Sequence, residues 1–144
     1  MRLTRAGEYA VRCILYMSKK GKEKLVSRKE VADACEIPHH FLAKIAQELA
    51  KAGIIEIRQG ARGGFILVKN PSEITLLQVI EAIIGEIYLN DCISRPESCK
   101  ASPVCEVHKV WEKARQQLRE TLGGVTFASL IENSCDFQFP LETE

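Results

Sequence analysis

From Thr4 to about Ser18 the apolar positions recur at helical spacing. Ala6, Tyr9, Ala10, Cys13, Ile14 and Met17 share one face, and Arg5, Glu8 and Arg12 lie off it. A polar stretch from Lys19 to Lys24 separates this helix from Ser27-Arg28-Lys29-Glu30, which reads as a capping box with Glu30 reaching back to the Ser27 backbone. A short second helix runs from there to about Cys35. Glu36-Ile37-Pro38 breaks the pattern, and a third helix follows, stopping near Gly53. It turns Phe41, Leu42, Ile45, Leu49 and Ala52 inward and His40, Lys44, Gln47 and Lys51 outward. Two short helices joined by a tight turn, the second with a basic outer face, predict a helix-turn-helix.

Two β-rich runs come next, Ile54–Ile57 and Phe65–Val68, joined by the cationic, glycine-rich Arg58-Gln59-Gly60-Ala61-Arg62-Gly63-Gly64. Such a turn brings backbone close to a groove and carries arginines long enough to enter it, so the hairpin reads as a wing. After Asn70-Pro71 a fourth helix is expected from Thr75 to Ile84. From about Asn90 to Ser102 almost nothing is apolar. A loop that long inside a compact domain is functional or ordered by something bound to it. Ser102 and Pro103 then supply the cap and first position of a long fifth helix reaching Leu122. Val104, Val107, Trp111, Ala114, Leu118 and Leu122 form a seam along it, close to coiled-coil spacing and suited to a two-fold helix pair. Gly123-Gly124 stops it, and Thr126 caps a short last helix through Ile131.

The predicted fold class is thus mainly α with a small β-hairpin wing. A winged helix-turn-helix DNA-binding domain spans residues 1–85, a cysteine-rich loop 86–103, a dimerisation helix with a short C-terminal helix 104–133, and a tail 134–144. The 144 residues, 46% of them hydrophobic and 27% charged, suit a soluble protein with a real core. No stretch approaches the roughly 18 uninterrupted apolar residues of a membrane span, and no apolar signal region follows Met1. The expected compartment is the cytoplasm, with no membrane partner. Charge is segregated: residues 1–69 carry 14 Lys/Arg against 7 Asp/Glu, and residues 70–144 carry 6 against 12. A basic reading half and an acidic associating half fit that division.

The basic candidates collect on the helix-turn-helix and wing. Arg28 and Lys29 open the second helix and His39 and His40 the third, Lys44 stands on its outer face, and Arg58, Gln59 and Arg62 occupy the wing. Adjacent histidines on a helix point about 100° apart and chelate poorly, so base or phosphate contact suits them better than metal. No nucleophile elbow, phosphate-binding glycine loop or dinucleotide fingerprint occurs, and the chain is expected not to be an enzyme.

The remaining chemistry is in the loop. Cys92, Cys99 and Cys105 are separated by six and five residues, an odd number of thiols without the Cys-x-x-Cys knuckles of common zinc sites. His108 lies one helical turn beyond Cys105 and projects from the same face. In a reducing compartment such a set reads as ligands for a soft metal, with unrelated thiols, structural zinc and an iron–sulfur cluster all open. Cys13 on the apolar stripe, Cys35 and Cys135 read as having no functional role.

Several motifs in order strengthen one of these readings: Met1-Arg2-Leu3-Thr4, the helix-turn-helix around Pro38, the wing ending Gly63-Gly64-Phe65, and the Cys92/Cys99/Cys105/His108 loop. Together, over residues 1–133, they resemble the bacterial winged-helix iron–sulfur transcriptional regulators of the IscR/NsrR type, the IscR branch most closely. The resemblance implies a homodimer binding a palindromic double-stranded DNA operator. It also implies an iron–sulfur cluster on Cys92, Cys99 and Cys105 whose presence alters DNA binding, with [2Fe-2S] favoured over [4Fe-4S]. His108 matches the histidine that completes the site in some members. In others an acidic residue of the partner's first helix does so, and Glu8 stands at that place. Imidazole is the softer ligand and puts His108 first. The residues leave open two other readings: an electron-carrier or cluster-transfer protein without DNA binding, and a regulator using the loop as a zinc site or bare thiol switch.

Overall fold

The computed structural model describes residues 3–89, 93, 95–100 and 102–133. Helix α1 (Arg5–Lys20) starts where its sequence asks it to: the Thr4 hydroxyl accepts the Gly7 amide at 3.1 Å. Helix α2 (Arg28–Cys35) is capped by Ser27, whose hydroxyl accepts the Glu30 amide at 3.1 Å. Only this half of the expected capping box forms; the Glu30 side chain stays exposed and does not reach back. A complete box occurs instead at Thr75, where Thr75 and Gln78 exchange both bonds at 3.0 and 3.2 Å.

The helix-turn-helix corner is tight. Glu36 adopts the left-handed conformation (φ 53°, ψ 47°), which lets the Ile37 amide return to the Ala32 carbonyl at 2.9 Å and closes the end of α2. Helix α3 (His39–Lys51) follows directly from Pro38. Its inner face is Leu42, Ile45, Ala46 and Leu49. Ala52 was expected inward, but it is exposed: the helix has ended by then, and the chain turns out through Gly53 (φ 75°).

Strands β1 (Ile55–Arg58) and β2 (Gly64–Leu67) pair antiparallel, Ile55 with Leu67 through Arg58 with Gly64. Val26 and Phe65 also exchange backbone hydrogen bonds at 2.9 and 2.8 Å, so the wing root is fastened to the residue before Ser27. A short 3-10 turn at Pro71–Glu73 leads to α4 (Leu76–Ile84).

After the cysteine segment the structure departs from the expected start of the long helix. Ser102–Val104 form a separate 3-10 turn, and Cys105 is extended (φ −81°, ψ 117°). Helix α5 therefore runs Glu106–Gly123 with Cys105 as its N-cap residue. Proline at the first position is equally suited to a 3-10 turn, which is why Ser102-Pro103 misled. Val104 consequently precedes the helix and is 79% exposed.

Helix α6 (Phe127–Asn133) returns to the body and packs on α1 and the Pro71–Glu73 turn. Phe127 is fully buried in the same core as Ile14, Leu42, Leu49, Phe65 and Leu67. Each such side chain contributes about 1.5–3 kcal/mol on burial. Among the described residues no helix is long and apolar enough to cross a membrane.

Candidate nucleic-acid interface and cysteine segment

The core that fixes α1, α2 and α3 also fixes what they present outward. Arg28 and Lys29 are exposed in the first turn of α2, His39 and His40 in the first turn of α3, and Lys44 on its outer face. Arg58 ends β1, and Gln59 and Arg62 are exposed in the wing turn. A cleft of about 380 Å³ between the start of α2 and the wing is lined by Arg28, Lys29, Arg58 and Gln59. Its cations and the amide-rich start of α2 suit an anion such as a DNA phosphate. Arg62 is outside this cleft. Lys44 borders a separate one, of about 250 Å³, between α3 and Ile83 of α4. The structure thus groups Arg28, Lys29, Arg58 and Gln59 at the wing root and sets Lys44 on the outer face of α3 apart from them.

Neighbours hold several of these side chains. The Arg28 guanidinium lies 5.9 Å from the Phe65 ring centroid. Arg58 pairs with Glu56 at 3.2 Å, both exposed, an attraction worth well under 1 kcal/mol and readily exchanged for a phosphate. The His40 ring tilts against Phe41 at 4.7 Å, and Phe41 meets Tyr9 edge-on at 5.7 Å. Arg12, which the sequence reading gave no role, donates to the Cys35 carbonyl at 3.4 Å and braces the end of α2.

The cysteines divide into two kinds. Cys13 and Cys35 are buried. Burial, and then the neighbouring Cys35, push the Cys13 thiol far up; burial pushes Cys35 up to about 12 against the opposing pull of Arg12. Both stay protonated, as core thiols do. Cys99 is exposed, just beyond a 3-10 turn at Pro96–Ser98, and Cys105 is half-buried. Cys92 and Cys135 lie outside the described residues. Among the described residues no three His, Cys, Asp or Glu side chains converge on a common point.

His108 stands one turn into α5 with its Nδ1 atom buried and without a hydrogen-bond partner among the described residues. Leaving such an atom unpaired costs about 1–3 kcal/mol, so a ligand bond there would be favourable. Two free thiols and an unsatisfied imidazole are the donor chemistry of a soft metal or iron–sulfur group, and the residues present fit one. Glu8 is exposed in the first turn of α1.

A winged helix-turn-helix with a cationic cleft at the wing root defines a DNA-binding regulator, and comparison with known proteins agrees. The family described as Rrf2, iron-dependent transcriptional regulator, matches residues 3–133, and the chain belongs to the Rrf2 family. Its members are transcriptional regulators that bind DNA, a non-enzymatic role. The chain is 33% identical over 143 residues to the HTH-type transcriptional regulator NsrR of Shouchella clausii, covering 99% of this chain and 96% of the relative. Among solved structures it is similar to T. potens IscR (TM-score 0.69, 23% identity, 92% of this chain and 87% of that one). It is also similar to CymR, the global cysteine regulator of B. subtilis (TM-score 0.73, 23% identity, 92% and 97%). The two structures establish the winged-helix fold.

Proposed function

We propose that this chain is a homodimeric transcriptional regulator whose operator binding is controlled by an iron–sulfur cluster, [2Fe-2S] in preference to [4Fe-4S], held by Cys92, Cys99, Cys105 and His108. The observation that carries the reading is the Nδ1 of His108, buried and without a hydrogen-bond partner among the described residues, one turn from the free Cys105 thiol. When bound, a thiolate-held cluster supplies a centre whose charge and integrity respond to redox conditions. The chain's own part is to present the Cys99 thiol ahead of α5 and the Cys105 thiol and His108 imidazole at its start. Protein purified without oxygen is expected to be brown, with sulfide-dependent visible absorption. His108→Ala should shift that spectrum and Glu8→Ala should leave it unchanged. A colourless, zinc-loaded protein overturns the cluster, and the opposite behaviour of the two variants gives the fourth position to Glu8.

In this reading His39, His40 and Lys44 address base edges in the major groove, while Arg58, Gln59 and Arg62 reach the minor groove from the wing. Arg28 and Lys29 hold phosphates. The partition of the chain into a reader (1–85), a cluster loop (86–103), a dimerisation segment (104–133) and a tail (134–144) goes with it, as does a cytoplasmic setting.

A two-fold partner pairs along the face that α5 leaves uncovered. No residue of α5 is buried, and Val107 (53%), Val110 (60%) and Trp111 (37%) are exposed apolar side chains. Ala114, Leu118 and Leu122 continue the seam and are half-covered by the protein's own body. Pairing two such seams sets two recognition helices about one DNA turn apart, as a palindromic operator requires. Trp111→Ala is expected to sediment as a monomer at concentrations where the parent is a dimer, with its helical circular dichroism intact. A folded Trp111→Ala protein that remains as dimeric as the parent removes this face from the interface.

A further inference from the structure

Although α5 buries none of its residues, guanidinium groups hold it against the body. Arg115 donates from Nε to the Ile87 carbonyl at 2.8 Å and reaches the carboxylates of Glu86 and Glu112 with its other nitrogens. Its side chain is only 17% exposed. One turn on, Arg119 pairs with Glu81 at 2.6 Å and approaches Glu86 at 3.9 Å. Glu81 belongs to α4, and Ile87, three residues beyond its end, is buried. Helix α4 packs in turn on α1 and on α3.

The position of these pairs along the chain matters. Glu86 and Ile87 come just before the cysteine segment, and α5 begins just after it. Arg115 therefore ties together the two ends of the stretch that carries Cys99, Cys105 and His108. It does so at a point resting on the helix that backs α3.

We propose that Arg115, supported by Arg119, is the positioning residue through which the state of Cys99, Cys105 and His108 reaches the recognition helix. The proposal rests on the regulator reading above. Ion pairs suit this task where an apolar joint would not. Glu86 lies between two guanidinium groups spaced one helical turn apart, and Arg115 lies between Glu86 and Glu112. A slide or rotation of α5 can pass Glu86 from Arg115 to Arg119 while Arg115 keeps Glu112, which gives the joint discrete alternative settings. A packed two-setting element biased from both ends is what coupling between sites physically requires.

Coupling is reciprocal, so DNA bound at α3 must alter the cysteine segment as well. The test uses metal-free, reduced protein and a duplex that the parent has selected from a random-sequence pool. Iodoacetamide labelling of Cys99 and Cys105 is followed by peptide mass spectrometry, with buried Cys13 and Cys35 as slow internal references. Saturating DNA is expected to change the Cys105 labelling rate about fivefold or more in the parent. In Arg115→Gln and in Glu86→Gln the ratio should fall to near one. Glu86 is 65% exposed, so its substitution leaves folding intact. Arg115→Lys, which keeps the charge facing Glu86, should restore the change. An unresponsive parent, glutamine variants that respond like the parent, or a lysine variant as silent as the glutamine one would each overturn the proposal. Because no metal is present, failure here is distinct from failure of the cluster reading, which the anaerobic spectrum decides.

Discussion

Lys44→Ala is expected to weaken binding to the parent's preferred duplex about tenfold to a hundredfold and to relax the preference at one base position. Arg28→Ala should weaken binding to every duplex alike and lower the salt slope by about 1. The difference follows from placement. Lys44 is exposed on the outer face of α3, away from the cleft that Arg28 shares with Lys29 and Arg58. A side chain on that face meets base edges when the helix enters the major groove, whereas a phosphate held by Arg28 is the same whatever the base. Binding titrations at several salt concentrations, on preferred and scrambled duplexes, separate the two effects. If Lys44→Ala loses affinity uniformly across sequences, α3 does not read bases through this residue.

Gly64→Ala is expected to lower stability by about 3 kcal/mol, since overpacking against rigid backbone lies at the costly end of its usual range. A β-carbon at this position would stand 2.2 Å from the Val26 carbonyl oxygen and 2.9 Å from its carbon, and both belong to the backbone pair that fastens the wing root to α2. Neither can yield without breaking the Val26–Phe65 bonds. For a chain of this size the melting temperature should fall by about 10 °C. Gly60→Ala is the control. Gly60 has φ 101° but nothing within 4 Å of where its β-carbon would be, so only the backbone conformation is penalised, by about 1–2 kcal/mol. Thermal unfolding of the two variants side by side is the measurement. Equal losses would show that close approach to Val26 is not what demands glycine at 64.

Where one periodic face meets one core, the sequence was a good guide. The stripes of α1 and α3, the Ser27 cap, the start of α4 near Thr75, and the hairpin around Gly60 could be read to within a residue or two, because local spacing and local hydrogen bonding decide them. Contacts between distant residues carried no such signal. The Val26–Phe65 pairing joins residues 26 and 65 through backbone atoms alone, so side-chain identities do not announce it. Arg115 and Glu86 are 29 residues apart and look like ordinary surface charges until α5 is laid beside the end of α4. The left-handed turn at Glu36 was hidden for another reason: glutamate has no preference for that conformation, and the surrounding fold imposes it. In the candidate site, residue type and spacing put Cys99, Cys105 and His108 forward as candidate ligands. That the Nδ1 of His108 is buried with no hydrogen-bond partner among the described residues was not legible, since it depends on what surrounds the ring.

The return of α6 to the body bears on how such proteins can diversify. Phe127 occupies the core shared by α1, α3 and the wing, and backbone bonds run from Leu76 to Val125 at 2.9 Å and from Phe127 to Ile74 at 3.0 Å. A reader cut off after α4 would expose the hole that an aromatic ring had filled. The parts of this chain are therefore not interchangeable cassettes. Recombination that grafts a foreign domain after α4 must also bring back a closing helix that fits this core, whereas changes confined to the stretch between Ile87 and α5 escape that requirement. A lineage of this fold can therefore rewrite the stretch between Ile87 and α5 more readily than it can swap whole domains.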